Sequence, residues 1–457
     1  MRRCFLALAF LLTAPAGLWA ANLDISAEYR MRALSYQNLN LDSNDSKDHS
    51  FMSDDARLGI AVRHVFLETR GEEETSMDVG LRLHALGVAG STVALQPPLD
   101  RAAAIYPSVN FTPFIENAYL RVHQLYGKPI EATFGRQSFR LGSGLLLDDD
   151  GAGLTGVTAK MELPWWSMKL QGFLFSDKNP QTQAPNALNL FGGSLDLPTE
   201  GTWQLIELIE RDRANQLIYG CSFVDSAGAT NPCQVSKALR SFTSLRYQIS
   251  YGPIVFDGEA ALEKGAATPT GANPAPNHIT FNAHAEVVRA KWKQSLLQLG
   301  EGIARASFAH GSGNNPGTST TDEAFFPSRG HRFDALERGG FGEFFAATPY
   351  DAFGGNYSST TISGLKPGVS GISVAGLGFT PPAYQGIDLS VDFFLYQADR
   401  VPSGSKTLGT EWDVRLRYPI QDIFSLSASY AYFTAGPASS PTEEVARRIT
   451  FKVSGRF

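Results

Sequence analysis

The chain ends Ala446-Arg447-Arg448-Ile449-Thr450-Phe451-Lys452-Val453-Ser454-Gly455-Arg456-Phe457. Counting back from the last residue, Phe457, Gly455, Val453, Phe451 and Ile449 alternate with Arg456, Ser454, Lys452, Thr450 and Arg448, so a strand here has one apolar and one basic face. A half-buried strand of a soluble protein is usually about five or six residues long, whereas a tilted strand crossing a bilayer takes roughly 9–11. This segment has the second length. It reads either as a sandwich strand or as the closing strand of a transmembrane barrel, and the rest of the chain decides.

The same two-residue period recurs. Leu23, Ile25, Ala27, Tyr29 and Met31 interleave with Asp24, Ser26, Glu28, Arg30 and Arg32, and Met77, Val79, Leu81 and Leu83 with Asp78, Gly80, Arg82 and His84. The clearest instance sets Leu408, Thr410, Trp412, Val414, Leu416 and Tyr418 against Glu411, Asp413, Arg415 and Arg417. A soluble sandwich does not readily supply so many long strands with paired opposite charges on one face. In a wide barrel the inner face is wet and tolerates mixed charge, while the outer face meets lipid and must be apolar. Arg415 is therefore expected to point into the lumen and to be replaceable by Ser at little cost, whereas Val414 is expected to face lipid.

Residues 1–20 read as a secretory signal: a charged Met1-Arg2-Arg3, an apolar run over 5–12, and small residues leading to cleavage after Ala20. Residues 21–457 then form one domain, since no linker divides them. Cys4 leaves with the signal, and Cys221 and Cys233, in an oxidising compartment, most simply close a surface loop as a disulfide. Lys+Arg 39 against Asp+Glu 45 gives a net charge of −6, which suggests no nucleic-acid partner. Beyond the signal no apolar run is long enough for a transmembrane helix; the uncharged stretch 367–387 is broken by four glycines and Pro381-Pro382.

Breakers divide the mature chain into eighteen expected strands, the weakest being 203–210 and 214–220; sixteen follow if 203–220 is loop. Short connections at Gly127-Lys128-Pro129, 163–166, Tyr251-Gly252-Pro253 and 380–383 alternate with long ones at 37–55, 88–113, 177–202 and 310–367. The expected fold is an all-β, transmembrane antiparallel β-barrel, with short periplasmic turns, long extracellular loops and outer-membrane lipid around it. The 310–367 connection carries Arg329, His331, Arg332, Arg338 and several Phe, and a loop of this length tucked into the lumen would narrow it.

Further motifs, taken in order, are Gly135-Arg136-Gln137 before Leu141-Gly142, then Ala309-His310-Gly311-Ser312-Gly313-Asn314, Phe325-Phe326-Pro327 and Leu408-Gly409-Thr410-Glu411-Trp412-Asp413. From residue 115 to the end this set resembles the alginate-export family of outer-membrane porins. The resemblance implies an eighteen-stranded barrel that carries an anionic polysaccharide outward, with periplasmic export partners. A terminal aromatic like Phe457 resembles the mark by which the barrel-assembly machinery recognises its clients.

Candidate pore-lining residues are Arg30, Arg82, Arg136, Arg415, Arg417 and Lys452, with Glu411 and Asp413 opposing them. Either they form a basic track for a uronate or another anion, or they pair across strands and only stiffen the wall. Asp148-Asp149-Asp150-Gly151 reads as a solvated acidic loop, with Ca²⁺ binding the alternative. No cofactor, metal centre or catalytic set is expected. The functional reading is a channel for a hydrophilic, anionic solute. A general or sugar-selective porin is the alternative, and a plugged structural or adhesive barrel the competitor from another class.

Overall fold

The terminal strand pairs on both sides. Val445–Arg456 lies antiparallel to Phe424–Ala435 and also to Asn22–Gln37, so the last strand meets the first, with Glu28 opposite Arg456 and Gln37 opposite Arg447. Beyond that ladder Ala27 and Phe457 exchange both main-chain hydrogen bonds, at 2.8 and 3.1 Å. The sheet is thereby closed and has no edge.

The computed structural model describes residues 21–457 except 47, 71–72, 91–107, 150, 165, 179–186, 215, 225–229, 271–277, 297–299, 316–319, 329–340, 349–350, 353–364, 366–367, 422 and 441, and leaves out the side chains of 70, 73, 216–224, 230–234, 236, 269–270, 346–348 and 351–352. The expected signal peptide, Arg329, His331, Arg332, Arg338, Asp150 and the side chains of Cys221 and Cys233 lie outside the described residues.

Eighteen strands form the wall: β1 Asn22–Gln37, β2 His49–Arg70, β3 Glu73–Gly90, β4 Phe114–His123, β5 Ile130–Gln137, β6 Leu154–Leu163, β7 Met168–Asp177, β8 Leu188–Pro198 and β9 Thr202–Asp212, followed by β10 Thr230–Tyr251, β11 Ile254–Thr270, β12 Ile279–Ser295, β13 Glu301–Gly311, β14 Ser370–Thr380, β15 Asp388–Arg400, β16 Thr407–Ile420, β17 Phe424–Ala435 and β18 Val445–Arg456. Each is antiparallel to its sequence neighbours. The strand number is as the sequence suggests, but one member differs. Leu188–Pro198, expected to be loop, is β8, whereas Gln216–Val224, expected near 214–220 as a wall strand, pairs among the described residues only with the outer end of β10. The Gly192-Gly193 pair and Pro198 mask β8 as a strand, and Leu188 and Leu190 are buried on the face that should have read as polar.

Outward positions are apolar and exposed. On β16 they are Trp412, Val414, Leu416 and Tyr418, interleaved with the inward Glu411, Asp413 and Arg415. Exposed aromatics Tyr126, Trp166, Tyr251, Tyr384, Phe424 and Phe457 gather at the short-turn end, as the girdle of a membrane barrel requires. Inside, the long-loop half of the lumen is filled. One buried apolar cluster joins wall residues such as Tyr36, Phe175, Ile206, Phe242, Tyr396 and Phe433 to loop residues Leu145, Leu146, Leu147, Phe325, Phe341, Phe344 and Phe345.

The Phe457 ring packs edge-on against Phe424, with centroids 5.4 Å apart, while its backbone completes the seam. Deleting Phe457 is therefore expected to lower the heat-modifiable, folded fraction in outer membranes. Normal amounts of folded protein would contradict this role.

Candidate functional site in the barrel lumen

Two loops enter the lumen, and wall carboxylates receive both. The 138–153 loop leaves β5 and crosses to β9–β11, where the Ser143 N–H donates to Glu259 Oε2 at 2.7 Å and Glu259 also accepts from the Ser244 hydroxyl at 2.8 Å. Within this loop Asp149 accepts from the backbone N–H groups of Phe139 (3.1 Å) and Gly153 (2.9 Å), and Asp148 pairs with Arg140 at 3.2 Å. The acidic run is thus not a solvated external loop: Asp149 is buried and holds the turn that returns the chain to β6.

The longer 312–369 loop docks at two places. Near its start, Arg240 of β10 donates to the Phe326 carbonyl (2.7 Å) while the Phe326 N–H donates to Glu263 of β11 (3.1 Å), and Arg240 is itself paired with Glu210 and Glu263 at 2.8 and 2.9 Å. Further on, the N–H groups of Glu343, Phe344 and Phe345 converge on the Glu411 carboxylate at 2.6–2.8 Å, and the Tyr396 hydroxyl donates to it at 3.0 Å. Phe345 stacks on Phe433, with centroids 4.5 Å apart and planes 5° apart. Gly342 makes the turn possible: its φ is +107°, and a Cβ there would lie 2.3 Å from the Tyr396 hydroxyl oxygen. Only glycine takes such a conformation without cost.

Glu343 brings charge to the centre. Its carboxylate meets Arg415 (2.6 Å) and Arg448 (3.0 Å), and Arg415 also reaches Asp392 (3.0 Å) and Asp413 (3.4 Å). Burial alone would raise the Glu343 pKa, but Arg448 and Arg415 hold it below the ordinary glutamate value.

Glu411 and Asp413, expected along the solute's path, are fully buried beneath this loop and anchor it. Arg136 braces backbone, donating to the carbonyls of Ile115 (2.9 Å) and Ala152 and to the Thr155 hydroxyl (3.2 Å). Arg82 stands 3.5 Å from Glu116, and Arg30 pairs with Asp55. Arg30, Arg417 and Lys452 come together at the short-turn end, around a cavity of about 520 Å³ that Arg57 and Arg456 also line. The acidic residues lining it are Glu28 and Asp55. Asp55 faces Arg30 and Arg57, and Glu28 faces Arg57 (3.8 Å) and Arg456 (3.3 Å); Arg417 has no ion-pair partner among the described residues. Sequence reasoning noted the several Phe of the 310–367 connection and that such a loop in the lumen would narrow it, but did not single out Arg57 or Glu343. The Phe-Gly-Glu-Phe-Phe run at 341–345 was the available signal for where that loop docks, because solvent-exposed loops seldom carry it.

No protein-family model matches the chain, and no curated protein does. Solved structures do. OccAB1 of Acinetobacter baumannii superposes with a TM-score of 0.56 at 10% identity, covering 97% of this chain and 99% of that one. OccK8 (OprE) of Pseudomonas aeruginosa gives 0.52 at 11%, covering 95% and 98%. OpdK of Pseudomonas aeruginosa, an outer membrane protein, in a structure with vanillate gives 0.51 at 12%, covering 95% and 98%. Identities this low speak for the fold: a closed outer-membrane barrel of porin type, and not the alginate-export family in particular. Lipid-facing band, aromatic girdle and closed seam agree with that fold.

Proposed function

We propose that the protein is an outer-membrane channel through which a small hydrophilic anion diffuses, without cofactor or chemistry. The observation that carries this reading is the cavity at the periplasmic end, where Arg30, Arg57, Arg417, Lys452 and Arg456 outnumber Glu28 and Asp55. A charge excess on the wall of a confined aqueous path raises the local concentration of the opposite charge. Packing of both inserted loops in the outer half favours a small solute over a polymer. The alginate-export resemblance implies an anionic polysaccharide; an acidic sugar or short uronate keeps that charge at the smaller size favoured here, and the vanillate of the OpdK structure is likewise a carboxylate. Export partners in the periplasm, recognition of Phe457 by the assembly machinery and a Cys221–Cys233 disulfide belong to the same proposal.

The apolar packing of the two loops favours a second reading, a barrel plugged at rest. Single-channel recording separates the two, since a plugged barrel gives no open steps. For the first reading, neutralising Arg417 and Lys452 together, as Arg417→Gln and Lys452→Gln, is expected to move the reversal potential in a salt gradient toward cations and to weaken block by a soluble oligouronate. A double variant with wild-type selectivity would count against the anion path.

A further inference from the structure

The outer wall carries a cluster that the channel reading does not use. The two-residue period puts His284 and Glu286 on one face of β12, and Glu286 stands directly opposite His310 on β13. That face is the outer one, because the alternate residues Ala283, Ala285 and Val287 are buried inward and Arg289 lies over the ring of Phe341. Phe308, exposed and facing lipid, precedes His310 by two residues, so the cluster lies one row outside the apolar band, where charge on the lipid side becomes tolerable.

We propose that His284, Glu286 and His310 form a binding site for a divalent transition ion of the Zn²⁺ class at the external rim of the membrane. Their ligand atoms all lie within 4.8 Å of one another. His310 Nδ1 is 2.9 Å from Glu286 Oε2, His284 Nε2 is 4.0 Å from Glu286 Oε1, and the imidazole centroids are 5.5 Å apart. Asp399 of β15 approaches the opposite ring nitrogen, its Oδ1 3.8 Å from His310 Nε2, and is placed to orient the imidazole as an outer-shell partner, which leaves the fourth position of the ion to water. Tetrahedral Zn²⁺ with bonds of about 2.0–2.1 Å sets its ligand atoms roughly 3.3–3.5 Å apart, so small rotations of these partly exposed side chains complete the shell. Two imidazoles with one carboxylate select such ions over Ca²⁺ and Mg²⁺, which prefer all-oxygen sites. The sequence hides the site because its halves are 24 residues apart with no ligand spacing between them.

A hydrolytic use of His310 does not fit. Both of its ring nitrogens face carboxylates, and the Ser312 hydroxyl donates to the Glu323 carbonyl (2.6 Å) while accepting from the His284 N–H (2.9 Å). Those contacts serve the metal reading instead. Ser312 and Gly313 begin the 312–369 loop, and they are tied to His284 and to Asp399, so a bound ion would staple β12 to β13, with Asp399 of β15 bracing the His310 ring, at the root of the loop that narrows the lumen.

Titration of the purified full-length protein in detergent with Zn²⁺, Mg²⁺ serving as control, is expected to give one Zn²⁺ site per chain. Losing a ligand should weaken it by at least the roughly 10–100-fold typical of losing an outer-shell partner. That loss is expected in His284→Ala, His310→Ala and the isosteric Glu286→Gln, each checked for heat-modifiable folding. Co²⁺ added to the unaltered protein is expected to show the visible absorption of an imidazole-ligated, low-coordinate ion, which requires no variant to fold. Absence of Zn²⁺ binding, affinity unchanged in the histidine variants, or a Co²⁺ spectrum like that of the aqueous ion would each overturn the proposal.

Discussion

Glu411→Ala is expected to leave a folded barrel whose single-channel conductance is several-fold larger. Glu411 is 0% exposed and accepts from three consecutive backbone N–H groups of the inserted loop and from the Tyr396 hydroxyl. Alanine takes the acceptor from the buried Phe344 and Phe345 N–H groups, each costing about 1–3 kcal/mol if left unsatisfied, while the Glu343 N–H keeps Asp413 (2.9 Å) and the Tyr396 hydroxyl keeps the Phe341 carbonyl (2.8 Å). The loop can avoid that penalty by leaving the wall, because the barrel ladders do not depend on it. Conservative Glu411→Gln keeps the shape and part of the acceptor capacity, so an intermediate effect is expected. Gly342→Ala should act in the same direction, since its Cβ would collide with the Tyr396 hydroxyl. Conductance unchanged in Glu411→Ala would show that the loop does not restrict the pore.

Val414→Arg is expected to destabilise the barrel by about 2–4 kcal/mol, the cost of a guanidinium on the lipid face near the midplane. Val414 pairs with Val391 and Tyr430 in a row that faces lipid, while Arg415, one residue on, points inward. Urea midpoints of refolded protein in vesicles measure the effect, and an unaffected midpoint would place the register one residue off. The neighbouring Arg415→Ser differs from the sequence expectation of a neutral change. Arg415 touches Glu343, Asp392 and the fully buried Asp413, so its removal should loosen the loop, and its signature is expected in conductance more than in wall stability.

These two residues also mark what could be read from sequence. Toward the short-turn ends of β1, β16 and β18, where Arg30, Arg417 and Lys452 line the cavity, inner positions are charged, outer positions apolar, and a period of two identifies strand, register and facing together. Where the inserted loops pack, many inner positions turn apolar as well. In β8 the inward Leu188 and Leu190 and the outward Phe191 and Leu195 erase the alternation, and the strand vanishes into an apparent loop. The candidate site divides along the same line. Arg30, Arg417 and Lys452 could be assigned to one wall from their strands alone and do share one cavity. Glu411 and Asp413 were visible as inward carboxylates, but their partners are backbone amides 66–70 residues away in sequence, and nothing in the pattern of β16 itself announces that a loop will fold back onto them. Their roles therefore changed from lining to anchoring.

An open path that favours anions is tested most directly by reconstituting the unaltered protein in a planar bilayer under a salt gradient and reading step conductance and reversal potential. Discrete open steps, with a reversal potential of the sign set by anion preference and a current reduced by oligouronate, are the predicted result. A reversal potential of cationic sign, or no open steps at all, would contradict it.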